Sequence, residues 1–246
     1  TPTHTLSLHD ALPISLTRAG LQKTTLLDFP GEVAATVFTP GCNLRCPYCH
    51  NPALVQPPYP EDLLSLEELD RFLAKRAKVL GGVCITGGEP LLNDDLSNLI
   101  DMVHRHGLRV KLDTNGTFPE RLARAEVEYI AMDLKTIPEK YDSLLGSVPS
   151  GRKDTAAKIR SALEYLKSSG IPYEIRTTVV PGIVGQKELP QMLPLLRGVE
   201  KYYLTPFRNG NTLDAGHRHV RPPSNAEMES LCTIVKKAGI PCEIRQ

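Results

Sequence analysis

The chain has 246 residues, 41% hydrophobic and 23% charged, with a formal net charge of +1. That near-neutral balance gives no case for a broad nucleic-acid-binding or membrane-binding surface. No apolar run approaches the roughly 20 residues that span a bilayer.

The N-terminus reads TPTHTLSLHDALPIS, with no Met and no charged stretch before an apolar core, so it does not read as a signal peptide. Thr5–Ile14 matches one reading frame of a common short-read sequencing adapter. Residues 1–15 are therefore read as a non-native extension, and 16–246 as a single domain. Six cysteines in a chain this long are not a disulfide framework. They argue for a reducing compartment, and the expected location is cytoplasmic.

Strands and helices then alternate along the chain. The β-branched stretch 32–40 predicts a buried strand, and 65–80 predicts a helix that starts on a Ser65–Glu68 capping pair. A short strand is expected at 82–88, and a helix at 93–107 closed by Gly107. Further strands are expected at 108–116, 127–135, 172–182 and 200–207, with a possible last one at 241–245. Helices are expected at 119–125, 154–170 and 224–239, and at 186–197, where Pro190 and Pro194 predict a break. About six βα units without a linker predict an α/β fold, a partial, open β/α barrel of the TIM type.

The unusual residues cluster at the C-terminal ends of these strands, where such barrels place their chemistry. The cysteines follow the first strand, and TGGEP, DTNG, MDLK, RTTVVPG and TPFRNGN end the next five. Cys42, Cys46 and Cys49 share one loop with Gly41, Pro47 and Pro52. Three thiolates can hold a [4Fe–4S] cluster with one iron left open for a ligand. The same loop could make a Cys₃His zinc site through His50, although adjacent Cys49 and His50 are awkward ligands for one ion.

The CNLRCPYC segment is the C-x₃-C-x₂-C pattern of radical S-adenosylmethionine (SAM) enzymes, with Tyr48 before the last cysteine. The stretch GLQKTTLLDFPGEVAATVFTPGCNLRCPYCHNP resembles the anaerobic ribonucleoside-triphosphate reductase activating proteins, with pyruvate formate-lyase activating enzymes close behind. The likeness runs from about Gly20 to Leu213. It implies that Cys42, Cys46 and Cys49 bind the cluster, and that Gly87, Gly88, Glu89 and Pro90 meet the SAM amino group. It also implies that Asp113, Thr114 and Asp133 help bind a monovalent cation near SAM, with Asn115 in the same motif. Lys135 would contact the SAM carboxylate, Arg176 would point inward near SAM, and Val179 or Val180 would pack near adenine.

Two glycines suit a close backbone approach, and a carboxylate suits an ammonium. The chain departs from the pyruvate formate-lyase branch after the sixth strand, where Phe207 and Arg208 stand in place of a SAM-contacting histidine. His217 and His219 read as solvated, Cys84 as core packing, and Cys232 and Cys242 follow no motif spacing, so no auxiliary cluster is expected.

The resemblance implies a radical SAM oxidoreductase that abstracts hydrogen from a glycine Cα of a glycyl radical enzyme, foremost anaerobic ribonucleotide reductase. An electron donor such as flavodoxin or ferredoxin would serve it. Alternatives are a small-molecule radical SAM enzyme like 7-carboxy-7-deazaguanine synthase, and a non-catalytic zinc-stabilised binding module.

Overall fold

The computed structural model describes residues 16–145 and 154–245, so the extension read at 1–15 lies outside the described residues. In chain order the elements are β1 (Arg18–Thr25), β2 (Ala34–Thr39), β3 (Leu64–Ser65), α1 (Leu66–Arg76), β4 (Gly82–Gly87), α2 (Leu96–Arg105), β5 (Arg109–Thr114), α3 (Pro119–Leu122), β6 (Tyr129–Asp133), α4 (Thr155–Ser168), β7 (Tyr173–Val179), α5 (Leu189–Leu196), β8 (Tyr202–Pro206), α6 (Asn225–Lys237) and β9 (Glu243–Ile244). The strands form one sheet in the order β3-β1-β2-β4-β5-β6-β7-β8-β9. All pairs from β2 to β9 are parallel, while β1 runs antiparallel to β2 and β3. β4 through β8 are each followed by a helix, and only the two-residue β3 stands between β2 and α1, so the expected βα alternation holds. The end strands β3 and β9 do not pair, and the barrel is open.

Several element ends differ from expectation. β1 and β3 were not anticipated, because β1 buries only two of its side chains and shows no period-two pattern. The Ser65–Glu68 capping box starts α1, which stops at Arg76 rather than at 80. α5 runs through its prolines: Pro190 sits in the first turn, where a missing N–H costs nothing, and only Pro194 is internal. β7 ends at Val179, so Val180 lies beyond the strand.

The sheet sorts its side chains by face. Val83, Ile85, Val110, Leu112, Ile130, Met132, Ile175 and Leu204 are buried in the main core with helix residues such as Leu73, Leu99, Ile159, Met192 and Val235. The alternate positions carry polar groups in matching register. Thr36 pairs with Cys84 and Cys84 with Lys111, while Asp113 lies beside Ala131, Ala131 beside Glu174, and Asp133 beside Arg176. Because neighbours in register point the same way, one face is apolar and the other is lined with charge. Among the described residues no helix is long and apolar enough to cross a membrane.

Candidate active site

The cysteine loop leaves β2 and is braced on both sides. Gly41 N donates to Leu54 O at 2.7 Å and Cys42 N to Val55 O at 3.2 Å. On the far side, Leu213 N donates to Cys49 O at 3.2 Å and Asp214 N to Pro47 O at 2.9 Å. Cys42, Cys46 and Cys49 consequently line one cavity, together with Gly87, Gly88, Asp113, Thr114, Asn115, Asp133 and Lys135. Burial pushes the Cys42 thiol up to about 12 and the Cys46 thiol up to about 11, so both need a cation to ionise.

The glycine pair serves the loop itself. Gly87 has φ +114°, and an added Cβ would lie 2.5 Å from Thr39 N. An added Cβ on Gly88 would lie 1.9 Å from Gly41 O. These glycines admit backbone packing at the root of the cysteine loop, where Gly88 N donates to Thr39 O at 2.9 Å and Glu89 N to Gly41 O at 2.8 Å.

Glu89 is fully buried and does not line the cavity. Its Oε1 accepts from Thr114 Oγ1 at 2.8 Å and Leu91 N at 3.1 Å, and its Oε2 from Asn115 N at 2.6 Å. Burial outweighs these donors and raises the carboxyl to about 7. Pro90 is buried at the start of a 3₁₀ turn. Asn115 carries the tie onward: its Nδ2 donates to Asn43 Oδ1 at 2.9 Å, inside the cysteine loop. Asn43 Nδ2 in turn donates to Thr117 Oγ1 at 2.8 Å. Glu89 and Asn115 thus join three strand-end motifs.

Beneath this frame lies a charged group. Arg176 bridges two carboxylates, donating through Nε to Asp133 Oδ1 at 2.7 Å and through Nη2 to Asp113 Oδ2 at 3.0 Å. Lys135 Nζ lies 2.9 Å from Asp133 Oδ2, and Lys111 Nζ pairs with Asp113 Oδ1. Burial works to raise Asp113 and Asp133, but Arg176 with Lys111 or Lys135 holds both below the usual carboxylate range. Next to it, Arg245 donates to Glu174 through Nη1 at 2.7 Å and Nη2 at 3.0 Å.

The cavity therefore unites most of the residues singled out from the sequence. Glu89, Pro90, Arg176 and Val179 do not line it. Val179 is buried in the core on the apolar face, and Thr178 reaches the cavity instead. Sequence reasoning missed Lys111, Glu174, Arg245 and Thr178. Polar residues at alternate positions of strands expected to be buried were the available signal for Lys111 and Glu174. Cys84 is buried as expected, yet it sits on the charged face, 3.7 Å from Lys111 Nζ. His217 is less free than expected: its Nδ1 lies 2.9 Å from Asp214 Oδ2, and its ring meets Phe207 edge-on. His50 stacks on that same Phe207, with centroids 5.9 Å apart.

The profile of the radical SAM superfamily matches residues 36–193, well over half the chain. Two proteins of Methanocaldococcus jannaschii bearing the name of glycyl-radical enzyme activating enzymes are similar across the chain. One is 27% identical over 89% of this chain and 91% of its own length, the other 30% identical over 73% and 70%. The chain belongs to the radical SAM superfamily, among its glycyl-radical enzyme activating enzymes. The fold agrees with a TYW1 structure carrying a lysine–pyruvate adduct. The TM-score is 0.60 at 17% identity, over 83% of this chain and 73% of that one.

As a radical SAM enzyme, the chain uses a [4Fe–4S] cluster and S-adenosylmethionine. The residues present fit them. Three thiols face one cavity, and the buried Tyr48 hydroxyl beside them has no hydrogen-bond partner among the described residues. Among the described residues no three His, Cys, Asp or Glu side chains gather as ligands of a single ion. Three cysteine thiols are the donor type that such a cluster takes.

Proposed function

We propose that this enzyme installs a glycyl radical on anaerobic ribonucleoside-triphosphate reductase in the cytoplasm, drawing its electron from a flavodoxin or ferredoxin. The observation that carries the reading is the convergence of three thiols and the Asp113–Asp133–Lys135 group on one cavity at the strand ends. In this reading, Cys42, Cys46 and Cys49 would hold the cluster. Gly87 and Gly88 form the cavity wall beside it, and Lys135 receives the SAM carboxylate. Asp133 orients Lys135 by its 2.9 Å ion pair. Glu89 and Asn115 hold the three motifs in register with one another. Residues 16–246 act as one domain.

The chemistry that a bound cluster and SAM supply is one-electron cleavage of SAM to methionine and a 5′-deoxyadenosyl radical. The partner then loses one hydrogen atom from a glycine Cα, and 5′-deoxyadenosine is released. A barrel whose end strands do not pair leaves a lateral gap, which suits a substrate that is a loop of another protein.

The test is anaerobic. The protein is reconstituted with iron and sulfide, reduced, and mixed with SAM and anaerobic ribonucleotide reductase or pyruvate formate-lyase. Deoxyadenosine and methionine are read by mass spectrometry, and the partner by electron paramagnetic resonance. A glycyl radical signal with the reductase is expected. Deoxyadenosine formation that leaves both partners diamagnetic would move the reading to a small-molecule substrate.

A further inference from the structure

The likeness to activating enzymes implies a monovalent cation held by Asp113, Thr114 and Asp133, and the side chains here do not leave it a place. Each of the four carboxylate oxygens already faces a cationic nitrogen: Lys111 and Arg176 on Asp113, Arg176 and Lys135 on Asp133. With Glu174, which Arg176 meets at 3.9 Å and which Arg245 pairs, the group holds four cations against three carboxylates. Its net single positive charge matches one ligand carboxylate. An added sodium or potassium ion would double that charge in a buried setting, where repulsion is poorly screened.

Lys111 makes the difference. It stands two residues before Asp113 on the same strand, so the two side chains leave the same face of the sheet. Its side chain is 2% exposed, and its ammonium meets Asp113 on one side and Cys84 Sγ, 3.7 Å away, on the other. A lysine is seldom buried this fully without a partner that requires it.

We propose that the Lys111 ammonium takes the place of the monovalent cation, so that this enzyme binds SAM without sodium or potassium. The inference rests on the reading of this face as the SAM site. Lys111 is then a positioning residue: it acts through Asp113 and Arg176 and does not touch the reacting atoms.

Two measurements test this on the full chain, in potassium chloride, sodium chloride or choline chloride at equal ionic strength. The first is the thermal midpoint of the cluster-free protein. The wild type should melt within about a degree in all three salts. Lys111→Ala, which opens a space beside Asp113, should melt several degrees higher in potassium or sodium than in choline. The second is SAM affinity of the reconstituted protein by calorimetry. The wild type should vary less than twofold among the salts. Lys111→Ala should lose at least tenfold in choline and recover most of it in potassium.

A wild type that needs potassium or sodium in either measurement overturns the proposal, as does a variant equally impaired in all salts. If Lys111→Ala does not fold, Lys111→Gln, which removes the charge and keeps most of the bulk, is carried through the same series. Absence of SAM binding to the wild type in every salt would sink the SAM-site reading instead, while the melting series still decides the role of Lys111.

Discussion

Glu89 accepts the main-chain N–H of Asn115 at 2.6 Å, linking the loop after β4 to the loop after β5. A carboxylate suited by type to a ligand ammonium is here spent on the frame. It fixes where the cysteine loop sits, because Asn115 reaches on to Asn43.

Glu89→Gln should therefore damage the frame. The amide must set an N–H₂ against donors that now face oxygens, at a cost of about 3 kcal/mol. The pH dependence carries a signature. Burial raises the folded carboxyl from 4.5 to about 7, so between those values the unfolded chain releases a proton that the folded chain keeps. Wild-type stability from this residue falls as pH climbs through that window, by on the order of 3 kcal/mol. Glu89→Gln lacks the effect, so its deficit in urea unfolding should shrink between pH 4.5 and 7. A constant gap would show that Glu89 is ionised throughout.

Arg176→Met should be more costly than most core changes. It strips two buried carboxylates of a shared partner, which is worth about 3 to 5 kcal/mol. Asp133 and Asp113 are held below their ordinary range in the fold, so their contribution is present above about pH 4 and lost as pH falls below it. Urea midpoints from pH 7 down to 3 should show a shallower acid loss in the variant than in the wild type.

Gly88→Ala should displace the cysteine loop, since the new methyl would sit 1.9 Å from Gly41 O. Iron bound per chain after reconstitution should drop severalfold while far-ultraviolet circular dichroism stays close to wild type. Gly182→Ala is the contrast. It has φ +85° but open space around it, so it should cost about 1 kcal/mol and leave iron loading intact.

Cys46→Ala should abolish cluster binding and SAM cleavage without unfolding the sheet. Cys84→Ala should keep full iron and sulfide content, because Cys84 lies beside Lys111 rather than in the cysteine loop. Iron and sulfide assays on both variants distinguish a ligand from a packed thiol.

Much of the fold was legible because strands buried on both faces and amphipathic helices leave strong periodicities. The strand ends were legible because Gly-Gly, Asn-Gly and the cysteines are unusual there. What escaped followed from geometry that spacing does not encode. A sequence shows that Glu89 has a carboxylate, and it does not show that Thr114, Leu91 and Asn115 surround it. Val179 and Thr178 differ by one pleat, and only the register decides which one reaches the cavity. Lys111 sits between two apolar residues and reads as a surface lysine until β4 and β6 are placed on either side. β1 was missed because a strand with only two buried residues leaves no hydrophobic rhythm.

A sheet that does not close also presents two raw edges, and each could recruit stray strands from other molecules. Here the terminal strands are Leu64–Ser65 and Glu243–Ile244, two residues apiece. Each two-residue strand is by itself a poor template for edge-to-edge aggregation, and it covers only Arg18 and Ala19 of β1 or Tyr203 and Leu204 of β8. On the proposed reading, the same gap that admits a partner's loop is bordered by the two shortest strands of the sheet.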